Sequence, residues 1–138
     1  MYKSLTKIAI TGGPCSGKTT GLAKINSNLL DKGFEVIIVP ESATLIKSSG
    51  VKIDNEHISG YEFEEMLFKM QLFLEGLYEG YAEKLDDKNV IVVCDRGIVD
   101  GRAYLAEAEY LQLLRKFNLN EITARDSYDA VFHLKTVA

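Results

Sequence analysis

Apolar residues arrive along this chain in two rhythms, short unbroken runs and longer stretches spaced by three or four positions. Lys7 to Thr11 (KIAIT) is a short β-branched run closed by Gly12 and Gly13, and it predicts a first strand. From Lys18 to about Lys32, Leu22, Ile25 and Leu29 recur at helical spacing, and Gly33 stands where a left-handed C-terminal cap is wanted. Phe34 to Val39 is nearly all apolar, the pattern of a parallel strand covered on both faces, and Pro40 ends it because proline cannot donate to the ladder. A short helix after Glu41 through Lys47, ended by Gly50, and a loop over residues 51–58 follow.

The best-marked helix start comes next. Ser59 followed by Glu62 has the spacing of a capping box, and Ile58 with Phe63 that of a hydrophobic staple, so a long helix begins at Gly60. Phe63, Leu67, Met70, Leu74, Leu77 and Tyr81 form one stripe toward Leu85, expected to be core. Gly76 and Gly80 each cost about 1 kcal/mol relative to alanine inside a helix, so they are expected to permit close backbone packing. Val90 to Cys94 (VIVVC) predicts a third strand running into Asp95 and Arg96. Asp100 caps a helix or pair of helices over about Gly101 to Phe117, and Ala130 to Leu134 is a fourth strand. This alternation predicts an α/β fold, a parallel sheet with helices on both faces, whose ligands bind outside the carboxyl ends of the strands.

Composition narrows the picture. The 138 residues are 46% hydrophobic and 26% charged, the profile of one ordinary domain spanning 1–138. The net charge of −4 argues against a general nucleic-acid or anionic-membrane binder, so a bound polyanion must be held by a local site. The two cysteines, Cys15 and Cys94, suggest neither a disulfide framework nor a zinc site, and a reducing cytoplasm is the expected location. No apolar run approaches the roughly 20 residues a membrane-spanning helix needs.

Gly12-Gly13-Pro14-Cys15-Ser16-Gly17-Lys18-Thr19, followed by Thr20, fits the phosphate-loop pattern G-x-x-x-x-G-K-[ST] in full, directly after a strand and before a helix. The glycines let successive N–H groups turn inward toward phosphate oxygens, and the helix N-terminus adds its positive dipole end. Lys18 is expected to meet the β and γ phosphates of a bound nucleoside triphosphate, and the Thr19 hydroxyl to coordinate Mg²⁺. Asp95, at the end of a core strand, is the second expected metal group, with capping of a turn as its plain structural alternative. Helicase-like and AAA ATPases usually carry Asp-Glu there, whereas this chain has Asp95-Arg96. Ras-type GTPases need DxxG and NKxD, and neither string occurs. Asp-Arg at this strand end resembles the P-loop nucleoside and nucleotide kinases, in which the acid serves magnesium or the acceptor and the arginine holds phosphate.

TGGPCSGKTT, VPESATL, DRGIVDGRAYL and YDAVFHLKT, in this order, resemble the AAA-type P-loop domain shared by the ribosylnicotinamide kinase module of NadR and TRPL-translocation-defect-like proteins. The likeness runs from Lys7 onward. It implies an ATP- or GTP-binding, kinase-like domain with strand order 2-3-1-4, continuing past strand four into an arginine-bearing lid and a fifth strand. This chain stops at Ala138, so it is expected to lack both. With that order Glu41 falls about 10 Å from the phosphate loop, two strand spacings away, with Asp95 between. Glu41 is then either the base for an acceptor hydroxyl or an acid in the first turn of the next helix.

Arg96 is a phosphate clamp or a salt-bridge partner, and Arg102 is either of these or simply solvated. Cys15 has the surroundings of a helix N-terminus that lower a thiol pKa, yet at a variable loop position it is expected to be a small filler rather than a nucleophile. His57 and His133 lack recognisable catalytic partners and are expected to be structural, while Phe63, Gln71 and Glu75 could line an acceptor pocket beside Glu41. The function expected is a Mg²⁺-dependent phosphotransferase, with ATP or GTP as donor, acting on a small hydroxyl acceptor such as a nucleoside. The alternative is a nucleotide-binding or hydrolysing regulatory module without an acceptor.

Overall fold

Connection order decides on which side of the sheet each helix lies. The computed structural model describes residues 4–12, 18–52, 54, 56–95 and 105–134. Its elements are β1 (Leu5–Gly12), α1 (Lys18–Asp31), β2 (Glu35–Val39), α2 (Ser42–Ser48), α3 (Gly60–Glu83), β3 (Val90–Asp95), α4 (Glu107–Lys116), α5 (Glu121–Asp126) and β4 (Ala130–Leu134). The strands form one parallel sheet in the expected order, β2-β3-β1-β4. The β1 to β2 crossover travels one way across the sheet and the other two travel back. Right-handed crossovers therefore put α1 on one face and α2 to α5 on the opposite face, giving three layers.

Residues paired in register share a face. Ala9, Val92, Cys94 and Val39 lie on the side of α3 to α5, and they are buried with Phe68 and Leu74 of α3, Tyr110, Leu113 and Leu114 of α4, and Ala124 of α5. Ile10 and Val93, each 1% exposed, belong to the face that α1 covers.

Local signals set most boundaries. Gly33, at φ +85°, takes the left-handed conformation, donating to the Leu30 carbonyl while Phe34 donates to that of Leu29. This pairing closes α1 as a Schellman cap. Ser59 Oγ accepts the Glu62 N–H at 3.1 Å and Glu62 Oε1 accepts the Ser59 N–H, so α3 begins at Gly60 as expected. β1 starts two residues earlier than its apolar run and includes Gly12.

Three expectations fail, and one helix, α5, is not among the elements expected. β2 is an edge strand with Ile38 38% exposed, so its apolar run is only partly covered on the face of α1. α5, capped by Asn120 on the Thr123 N–H, was signalled only by the Asn-x-x-Thr spacing. The stripe predicted for α3 is core only as far as Leu74: Leu77 is 56% and Tyr81 55% exposed, and Gln71, Glu75 and Ala82 are buried instead. Gly76 and Gly80 are exposed, and a Cβ added at either meets nothing within 4 Å, so they make no close packing contact among the described residues.

The reason for the turned helix is Lys7. Its Nζ lies 2.6 Å from Glu75 Oε1 and 3.4 Å from Glu79 Oε1, and 4.6 Å above the ring of Tyr128. Glu75 Oε2 accepts hydrogen bonds from Gln71 Nε2 and Tyr128 Oη, both at 2.6 Å. A buried ammonium needs a buried carboxylate, and α3 presents Glu75 rather than Leu77 to supply it.

Candidate phosphate-binding site

α1 follows β1 on one face of the sheet and α4 follows β3 on the other, so the carboxyl ends of these neighbouring strands form the topological switch point at which open parallel sheets bind ligands. Gly12 ends β1 at this point and Lys18 opens α1, with Lys18, Thr19 and Thr20 making the first helical turn. A five-residue connection therefore brings the N-terminus of α1 to the end of β1. A helix N-terminus carries N–H groups with no partner inside the helix and a positive dipole end, both of which favour an anion. The loop residues Gly13, Pro14, Cys15, Ser16 and Gly17, like Arg96 and Arg102, lie outside the described residues.

Asp95 ends β3 in register with Ile10, on the face that α1 covers. From there Gly12 is two residues further along the neighbouring strand, about 8 Å away between Cα atoms from strand spacings. Glu41 follows β2: Val39 pairs with Cys94, so Glu41 lies one residue beyond the level of Asp95, across a single strand spacing. Its backbone is extended (φ −69°, ψ 120°) and its carbonyl accepts the Leu45 N–H, making it the N-cap of α2 rather than a first-turn residue. The carboxylate makes no capping hydrogen bond.

The sheet also brings together a pair that the sequence reading left apart. Thr11, 7% exposed, stands beside Gly12, and its Oγ1 lies 2.9 Å from Nδ1 of His133, its register partner on β4. His133 thus belongs to the carboxyl rim of the sheet and has a hydroxyl partner. Gln71 and Glu75 do not line a pocket beside Glu41. They are committed to Lys7 and Tyr128, on a strand position five residues before Gly12, or about 16 Å. Phe63 is buried under Lys47, whose Nζ is 5.8 Å from the ring centre. A lysine inside a β-branched strand was the one available signal for this network.

Burial raises the pKa of the Cys94 thiol strongly, and the Glu75 charge adds to it, so Cys94 is an inert core residue. Asp54, Glu56 and His57 form the one cluster of three metal-ligating types among the described residues, and all are exposed. Asp54 is occupied as a turn: its carboxylate takes His57 Nδ1 at 2.6 Å and the backbone N–H groups of Glu56, His57 and Ile58. The His57 hydrogen bond, followed by that backbone N–H, lowers its pKa to about 2.

A family model described as an AAA domain matches residues 7–138. The thymidylate kinase of Acholeplasma laidlawii is 28% identical over 130 residues, which cover 92% of this chain and 63% of that protein. This chain thus spans less than two thirds of that relative. Among solved structures, a Mycobacterium tuberculosis APS kinase superposes with a TM-score of 0.50 at 20% identity, covering 98% of this chain and 78% of its own. The M. mycoides deoxyadenosine kinase with bound dATP gives a TM-score of 0.41 at 18% identity, covering 93% and 64%.

Proposed function

We propose that this chain, which belongs to the AAA domain family of P-loop NTPases, uses the switch point between β1 and β3 to bind a magnesium nucleoside triphosphate, ATP or GTP, and to pass its terminal phosphoryl group to the hydroxyl of a small acceptor such as a nucleoside. The observation that carries this reading is the placing of two carboxylate residues, Asp95 and Glu41, at the ends of successive strands beside the start of α1. A site that only holds phosphate needs cations and N–H groups. Carboxylates close to phosphate repel it unless they serve a metal or a proton. The kinase names of the similar proteins support the same class.

In this reading the loop from Gly12 to Gly17 and the first turn of α1 hold the phosphates, and Lys18 balances their charge. Mg²⁺ fits the donor set, a carboxylate at Asp95 and a hydroxyl at Thr19, both hard oxygen ligands. Held by these two residues, the ion would supply positive charge to offset that of the phosphates. Arg96 is the phosphate clamp, and Glu41 orients the acceptor hydroxyl and takes its proton. Catalysis here is positioning plus charge neutralisation, which asks no covalent chemistry of the protein.

The experiment is a screen of nucleosides and vitamin precursors for ADP release by the full-length protein that depends on the acceptor. A kinase gives release with one chemical class and a phosphorylated product in equal amount. Hydrolysis unaffected by any acceptor would contradict the reading and favour a nucleotide-driven regulatory module.

A further inference from the structure

The carboxyl rim of the sheet carries chemistry on both sides of β1. Along the order β2-β3-β1-β4 the rim positions are Glu41, Asp95, Gly12 and His133. The two carboxylate residues stand on one side of the strand that enters the phosphate loop, and the imidazole stands on the other. Leu134 is the register partner of Gly12, so His133, one residue earlier on β4, lies about 6 Å from Gly12 between Cα atoms by strand spacings.

One nitrogen of that ring is taken and the other is not. Thr11, 7% exposed, holds its Oγ1 2.9 Å from His133 Nδ1, across the register pair they form on the sheet face of Ala9. Nε2 has no hydrogen-bond partner among the described residues, and His133 is exposed. A neutral imidazole carries one N–H, and when the Thr11 hydroxyl donates to Nδ1 that hydrogen is on Nε2. A protonated ring carries it there as well. The remaining tautomer, with Nδ1–H donating to Thr11, offers an acceptor at Nε2, which a phosphate oxygen disfavours. An anion beside the loop therefore selects the states in which Nε2 is a donor.

Which part of a triphosphate comes to this side follows from in-line transfer, and here the inference rests on the reaction proposed above, with the acceptor beside Glu41 and Asp95. The attacking and leaving oxygens lie in line across the γ-phosphorus, so the bridge to the β-phosphate points away from the acceptor. Away from β2 and β3 the rim leads to β4, and the α-phosphate is the last anionic group on that path before the nucleoside. We propose that His133 is a binding residue for the phosphoryl donor, its Nε2–H hydrogen-bonding the α-phosphate while Thr11 holds the ring through Nδ1. The contact does not involve the γ-phosphate, so the nucleoside diphosphate left after transfer keeps it. His133 thus contributes to nucleotide affinity and not to discrimination between triphosphate and diphosphate.

Calorimetric titration of the full-length protein with magnesium ATP and magnesium ADP tests this in wild type and His133→Ala. Losing a hydrogen bond to a charged oxygen weakens binding about tenfold or more, and both dissociation constants should rise together by that factor. Proton NMR of the unsubstituted protein gives a second readout that does not depend on the variant folding. The chain has two histidines, so His57→Ala assigns the ring signals, and magnesium ADP should shift those of His133 while leaving those of His57 in place. Unchanged affinity for both nucleotides in folded His133→Ala, or His133 signals that do not move, overturns the proposal and leaves the proposed function standing. A loss confined to ATP also overturns it, because His133 would then meet the γ-phosphate. A wild type that binds neither nucleotide removes the proposed function and this contact with it.

Discussion

The two ends of the sheet use charge in opposite ways. At the amino half of β1, Lys7 and Glu75 are 9% and 3% exposed in their side chains, touch at 2.6 Å, and are closed in by Gln71, Tyr128 and Glu79. Around the carboxyl ends, Asp95 and Glu41 stand one strand apart and the N-terminus of α1 adds a positive end. The first arrangement joins helix α3 to strand β1 and to Tyr128, just before β4. The second assembles groups that suit phosphate and metal, and it is there that we place the chemistry. A buried charge whose neighbours already satisfy it, as Glu75 satisfies Lys7, is thus a structural device and no evidence of function.

The largest expected effect comes from breaking the closed end. Glu75→Ala leaves the Lys7 ammonium buried with only Glu79 nearby, and breaking a buried pair in this way typically costs about 3 to 5 kcal/mol. Chemical denaturation should show that loss with nucleotide affinity in the folded protein unchanged. The pair also sets a pH dependence. Burial alone lowers the Lys7 pKa, but the hydrogen bond and charge of Glu75, with Glu79, outweigh it and hold the group above 10.5. A raised folded-state pKa gives stability that is present below the unfolded value and lost as pH rises through the folded one. Wild-type stability should therefore fall above about pH 10.5, and Glu75→Ala should remove that part of the alkaline slope.

Next comes the open end. Glu41→Gln keeps size and removes the proton acceptor, so acceptor-dependent turnover should drop by about 10² to 10⁴-fold. Nucleotide affinity should stay near that of wild type, because the phosphates are assigned to the loop and α1 rather than to Glu41. Turnover that persists at the wild-type rate would move the base elsewhere, with Asp95 the next candidate. The smallest effect concerns α3, which begins level with the site and carries Glu75 to the other end. Ser59→Ala removes the side-chain half of the capping box and should cost about 1 kcal/mol by denaturant titration.

How much of this was legible in sequence differs between the ends. The carboxyl end is written locally: a glycine-rich loop between strand and helix, and acids just after apolar runs, each fix their place within a few residues. The amino end depends on partners 53 and 68 residues apart, Glu75 with Tyr128 and Lys7 with Glu75, which no local period encodes. The apolar period of α3 therefore predicts an inward stripe past Leu74, whereas the helix serves Lys7 on one side and leaves Leu77 and Tyr81 outside. Thr11 and His133, 122 residues apart, became neighbours only through the register of β1 with β4.

The most direct test of this division of labour is a melting curve taken with and without magnesium ATP for wild type, Lys18→Ala and Glu75→Gln. Lys18→Ala should melt like wild type alone but lose the rise caused by the nucleotide. Glu75→Gln should melt lower alone and keep that rise. The opposite pattern, a nucleotide response retained without Lys18 and lost without Glu75, would contradict the assignment of phosphate binding to the carboxyl end of the sheet.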